Sequence, residues 1–192
     1  MKLSNIYLLY PDNRALERAI ADSIGRLGEA LAETATPDTK VTVADNFLYT
    51  RGNFEQHRFS SKILDSAREA LEGSLTDEYR KQEPLAWAQT QNSLGNILAA
   101  QGQQQRDVEL FEKAIGCFDN ALEAFNQETS PLDWAATQFN LGTAKQALGR
   151  QLGDSKLLKA SIDAYTNALL VWSRKETPEE WASTWRYFPC TQ

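Results

Sequence analysis

The sequence predicts an all-α protein, a stacked array (an α-solenoid) of about three antiparallel helix pairs with a capping helix at each end. Three observations lead there. First, the string P-L-A-W-A-Q-T-Q-N-S-L-G at Pro84 returns as P-L-D-W-A-A-T-Q-F-N-L-G at Pro131. It begins again as P-E-E-W-A-S-T-W at Pro178, so that Trp87, Trp134 and Trp181 stand 47 residues apart. A fixed period of this size marks a unit that buries its apolar face only against its neighbours. Second, the apolar spacing inside a unit is helical. Phe111, Ile115, Phe118, Leu122 and Phe125 advance by alternating steps of four and three, and adding 47 gives Leu158, Ile162, Tyr165, Leu169 and Trp172, all apolar. Third, the punctuation recurs. Pro84, Pro131 and Pro178 open the first helix of a pair, where proline costs no hydrogen bond, and Gly102 and Gly149 are expected to close it.

Each unit therefore reads as a helix A, beginning at the proline, followed by an antiparallel helix B that carries the apolar stripe. Two units are well marked, 84–130 and 131–177, with a half-unit and tail over 178–192. A degenerate unit precedes them at 37–83. Pro37 lies 47 residues before Pro84, the run D-N-F-L-Y-T-R-G ends at Gly52, and a helix B is expected from about Phe54 through Ile63, Leu64, Ala67 and Leu71. Residues 1–36 belong to no repeat. Leu16, Ile20, Ile24, Leu27 and Leu31 give Arg14 to Glu33 an amphipathic helical pattern, read as an N-terminal cap. A second reading takes Ile6 to Tyr10 and Val41 to Val43 as short strands of a small α/β unit around that helix.

Composition narrows the function. The chain has 192 residues, 42% apolar and 24% charged, with a net charge of −6. That balance disfavours nucleic acid and anionic membrane surfaces, both of which are bound largely through Lys and Arg. No apolar run is long enough to span a bilayer, and Ile6 to Tyr10 is too short and too aromatic for a secretory signal. Two cysteines, Cys117 and Cys190, build no disulfide framework or zinc cluster, and a reducing cytoplasm is the expected setting. Cys117 falls on the apolar stripe of helix B.

Residue chemistry for catalysis is sparse. The one histidine, His57, lies in a polar stretch near a helix start. Glu176, Glu179 and Glu180 sit where a helix N-terminus favours negative charge. Gly25 and Gly28 lack the strand and spacing of a phosphate loop. The run Gln101 to Gln105 reads as a polar turn. The expectation is a protein with no catalytic residues, no metal and no cofactor. Trp87, Trp134 and Trp181 recur in register, Trp172 takes the stripe slot of Phe125, and all four are expected in the core. Trp185 stands where the other units have Gln91 and Gln138, which marks it as the tryptophan for an outside contact.

The pattern of Trp, then Leu-Gly, then A-x-x-x-F-x-x-A, then Pro resembles the tetratricopeptide repeat. Its slots hold Leu94-Gly95, Gly102, Ala114, Phe118, Ala121 and Pro131 in one unit, and Leu141-Gly142, Gly149, Ser161, Tyr165, Ala168 and Pro178 in the next. Ala67, Leu71 and Ser74 are a weak copy. The period exceeds the usual length of about 34 residues, and the additional length falls mainly in the A–B turn and after helix B. The resemblance implies a right-handed solenoid whose A helices line a concave, partner-binding surface. By family register that surface is Thr42, Asn46 and Tyr49, then Gln89, Asn92, Ser93 and Asn96, then Ala136, Phe139, Asn140 and Thr143. Family members that clamp a peptide's C-terminal carboxylate use basic residues there. Here Thr42, Ser93 and Ala136 occupy those slots, so an extended peptide or helix held by amides and stacking is the better fit.

The function expected is a non-catalytic scaffold for a protein or peptide ligand. One alternative is a regulatory or sensory fragment of a larger signalling or protease-like system, since long repeats of this kind are similar to those of large bacterial proteins that carry such domains. Another is a small N-terminal α/β unit fused to repeats. At the C-terminus the Leu-Gly pair has become Phe188-Pro189. The last A helix should therefore run from Pro178 to Phe188, with a disordered tail from Pro189. Without a helix B to cover it, Trp181, Trp185, Tyr187 and Phe188 should leave apolar surface exposed. A weak homodimer or partner contact centred on Trp185 and Tyr187 is expected there.

Overall fold

The computed structural model describes residues 61–187. Among the described residues lie seven helices and no strand: α1 (Ser61–Ser74), α2 (Asp77–Gln82), α3 (Pro84–Gln105), α4 (Val108–Leu122), α5 (Pro131–Leu152), α6 (Ser155–Ala168) and α7 (Pro178–Tyr187). The expected N-terminal cap, the alternative α/β unit, the A helix of unit 37–83, the start of its B helix at Phe54, and the tail from Phe188 all fall outside them.

The 47-residue period is reproduced in the helix ends. α3 and α5 are both 22 residues long and open on Pro84 and Pro131, and α7 opens on Pro178. The glycines assigned to close the A helices do not close them. α3 and α5 run on past Gly102 and Gly149, which are buried inside the helix. Arg106 and Gly153 stop the chain instead, in the left-handed conformation at φ 54° and 66°. Each returns its backbone N–H to the carbonyl of Gly102 or Gly149. Asp107 and Asp154 follow at once as N-caps. Asp107 accepts from the amides of Glu109 and Leu110, and Asp154 from those of Lys156 and Leu157. The A–B turn is thus as short as two residues, and the additional length of the period resides in long A helices and in the segment after helix B, not in that turn. Gln101 is accordingly no turn residue: it is buried on α3 and donates to Asp65 Oδ1 of α1 at 2.7 Å.

The B-to-A segment is also built twice alike. Ser130 Oγ accepts from the amide of Asn126 (3.0 Å), and Thr177 Oγ1 accepts from that of Ser173 (2.9 Å). At the corresponding place in the first unit the chain forms α2. Thr76 caps it through the Tyr79 amide, with Asp77 and Glu78 in the first turn and Arg80 and Lys81 in the last, an arrangement that suits the helix dipole.

α3 packs on α4, α4 on α5, and α5 on α6, with α1 and α2 against α3. The main core joins Leu64, Ala67 and Leu71 of α1 to Leu94, Ile97 and Leu98 of α3, Phe118 of α4 and Leu141 of α5. Gly95 and Gly142, the glycines of the Leu-Gly pairs, are points of close approach. A Cβ on Gly95 would lie 2.6 Å from Phe118 Cε1, and one on Gly142 2.8 Å from Tyr165 Cε1.

Burial of the repeated tryptophans is graded. Trp87 and Trp172 are buried, whereas Trp134 and Trp181 are half-buried. α2 accounts for the difference at Trp87, since Tyr79 packs beside it and the Arg80 guanidinium lies 4.7 Å from the ring centroid while ion-paired to Glu123. Arg174 occupies the same register over Trp181, at 5.7 Å. Gln127 stands in that slot before Trp134. No helix among the described residues is long and apolar enough to cross a membrane.

Candidate functional site

Among the A-helix residues expected by register, Asn92, Phe139 and Asn140 make contacts from one unit to the next, a short inter-unit row. Asn140 of α5 donates through Nδ2 to Asn92 Oδ1 of α3 at 3.2 Å. One unit further on, the same two slots hold Phe139 and Tyr187, and their rings meet edge to face with centroids 5.7 Å apart. A polar contact in one step of the row has become an aromatic one in the next. Asn92, Ser93, Asn96, Ala136, Phe139, Asn140 and Thr143 are all half-buried, and Gln89 is exposed. Thr42, Asn46 and Tyr49 lie outside the described residues.

Phe139, expected on the concave A-helix surface, also reaches helix B. Its ring lies 5.7 Å from that of Tyr165 and 5.6 Å from that of Trp172, both on the helix B stripe. Tyr187 stacks on Tyr165 at 6.1 Å, and Gln146 Nε2 donates to the Tyr187 carbonyl at 2.9 Å. The four aromatic residues thereby tie α7 to α5 and α6. In the same slot one unit earlier, Asn92 instead bonds across to Asn140.

Thr143 links the row to helix B. Its hydroxyl donates to the Phe139 carbonyl at 3.0 Å and accepts from the Tyr165 hydroxyl at 3.3 Å. Burial pushes the Tyr165 phenol up to about 12, opposed by the Thr143 hydrogen bond, reinforced by Tyr187 and opposed by Arg150. Burial likewise pushes the Cys117 thiol up to about 11, with Glu72 adding to the effect. Both groups are neutral at physiological pH, and a raised thiol pKa makes Cys117 a poor nucleophile. Among the described residues no three His, Cys, Asp or Glu side chains are grouped as a metal site would require.

Tyr165 lies in the core as expected, and its hydroxyl also meets Thr143, while the buried Gln146 ties α5 to α7 through the Tyr187 carbonyl. Tyr165 had a legible signal, since it replaces Phe118 and so adds a hydroxyl on the face toward helix A. Gln146 had none, because its partner is a backbone carbonyl 41 residues away. The paired caps Asp107 and Asp154 were legible, standing 47 residues apart just before each stripe.

At the C-terminal end, Trp185 is 51% exposed and Tyr187 39%, whereas Gln91 and Gln138, in the slot of Trp185, are 7% and 9% exposed. Tyr187 is the less available of the two, being packed on Phe139 and Tyr165. Compared with models of protein families, with curated proteins and with solved structures, the chain gives no match.

Proposed function

We propose that the chain is a non-catalytic scaffold of the tetratricopeptide type, a right-handed solenoid that holds an extended peptide or a helix along its A-helix row. The observation that carries this reading is the half-open line of Asn92, Asn96, Asn140 and Thr143, closed at one end by Phe139 and Tyr187. Side-chain amides both donate and accept, which suits a ligand backbone, and aromatic rings supply stacking surface. The shared 47-residue register of helix ends supports the repeat reading. The two-cysteine composition supports a reducing, cytoplasmic setting.

Selection from a displayed peptide library on the whole chain, followed by calorimetric titration of a selected peptide, tests the proposal. Asn92→Ala combined with Asn96→Ala should weaken binding roughly 5- to 150-fold, corresponding to two hydrogen bonds of about 0.5–1.5 kcal/mol each, and lower melting only slightly, because the half-buried Asn140 can replace its bond to Asn92 with one to water. Phe139→Ala is not an equivalent probe, because loss of its ring also loosens α7. Selected peptides whose affinity ignores the double variant would show that the row is not the site.

A further inference from the structure

The faces of the three A-type helices differ in one respect. In α3, Ala88 packs against Ala121 and Phe125, and in α5, Ala135 packs against Ala168 and Trp172. Each alanine thus lies beneath its own B helix. One turn on, Gln91 and Gln138 share that face, and Gln138 accepts a hydrogen bond from Asn167 of α6 at 3.4 Å. In α7 the corresponding residues are Ala182 and Trp185, and both are exposed. Thr184, on the opposite side, is fully buried. α7 therefore presents to solvent the face that its two counterparts bury under an antiparallel helix. On that face, and there alone in the register, a glutamine has given way to tryptophan.

We propose that this face is covered by α7 of a second copy of the chain, in a two-fold antiparallel helix pair centred on Ala182. The direction is right: a B helix runs antiparallel to its A helix, and a two-fold axis across α7 makes its mate antiparallel. The charges are complementary as well. Glu179 and Glu180 lie in the first turn of α7 and Arg186 in the last. Of the two acids, Glu179 lies one turn before Ala182, beside that face, whereas Glu180 lies one turn before the buried Thr184. An antiparallel mate sets Glu179 of one copy toward Arg186 of the other, and it opposes the two helix dipoles. The small side chain at the centre permits close approach, as Ala88 against Ala121 does within a pair. Trp185 then flanks the crossing from each copy, where it is shielded from water. Tyr187 is not at the centre, since its ring belongs to the Phe139 cluster. A ten-residue helix spans about 15 Å, so the contact is small and the dimer one of modest affinity. This pairing is independent of whether the A-helix row binds a peptide.

Sedimentation equilibrium of the full chain from micromolar to near-millimolar concentration tests it. The mean mass should rise from 21.6 kDa toward twice that value and stop there. Trp185→Glu should weaken the pairing at least tenfold, with helix content retained by circular dichroism. Should Trp185→Glu unfold, Ala182→Arg, on an exposed position, carries the same expectation. Arg186→Glu should also weaken it, and adding Glu179→Lys in that same chain should restore it. A wild-type chain that stays monomeric overturns the proposal, whether residues 1–60 cover the face or nothing does. So do masses beyond the dimer, or dimerisation unaffected by both Trp185→Glu and Ala182→Arg.

Discussion

Gly142 and Gly116 are both helical glycines in opposite physical situations. A side chain on Gly142 would meet Tyr165 at 2.8 Å and the Ser161 carbonyl at 3.2 Å, whereas one on Gly116 would meet nothing within 4 Å. Alanine at a free helical site gains about 0.5–1 kcal/mol over glycine. Overpacking in a core costs about 1–3 kcal/mol. Gly116→Ala should therefore raise the midpoint of chemical denaturation and Gly142→Ala should lower it, a sign change between two formally identical substitutions. The Leu-Gly pair was legible in the sequence as a recurrent motif, although its cause, an aromatic ring on helix B, was not. The contacts of Phe139 were hidden for a related reason. Register carries over a position, but not the reach of the side chain that occupies it, and Asn92 gave no warning of a ring that touches Tyr165, Trp172 and Tyr187.

At the scale of the helix, the ends are set by the residue that turns left-handed. Arg106 and Gly153 hold equivalent places, at φ 54° and 66°, and only glycine adopts that conformation without steric cost. The Arg106 carbonyl is held by Gln151 Nε2 at 2.7 Å from the following A helix, a bond that any residue at 106 can keep. Arg106→Gly should gain about 0.5 kcal/mol, the relief of strain being partly offset by a freer unfolded chain, and Gly153→Ala should lose about 1 kcal/mol. Thermal melts of both variants check the pair. The sequence misled here because Gly102 and Gly149 recur where a closing glycine is sought. In fact both recur to admit helix B, whose Phe111 would lie 3.1 Å from a Cβ at 102 and Leu157 equally near one at 149. α2 is the reverse case. Thr76, its two acids and its two bases spell a helix locally, but the other units have only a turn there, and reading by register hid it.

Across the molecule, each helix pair leans chiefly on its neighbours in sequence, so local stability should follow position in the stack. α3, α4 and α5 are packed from both sides. α7 is held by the Tyr187 ring, by Gln146 and by Thr184, and among the described residues no helix covers Ala182 and Trp185 on its outer face. Amide hydrogen exchange should be slowest in the three central helices and fastest in α7. If α7 pairs with its copy, protection there alone should increase with protein concentration. The all-helical character of the described residues was legible because period, stripe and proline positions agreed with one another. The outer face of α7 was legible in part: a tryptophan in a glutamine slot announced an unusual end, while the role of Ala182 emerged only beside Ala88 and Ala135.

Trp134 packs at once against the cluster of Trp87, Ala88, Ala121 and Phe125 and against that of Ala135, Ala168 and Trp172. A rigid indole wedged between two such clusters behaves as the pin of a joint. It can roll against one wall only by losing contact with the other, so bending between the two units is opposed there by a restoring force. Its half-buried ring leaves water at one edge of the pin. The seam between residues 84–130 and 131–177 is therefore stiffened at this point by a single side chain whose two contacts are coupled.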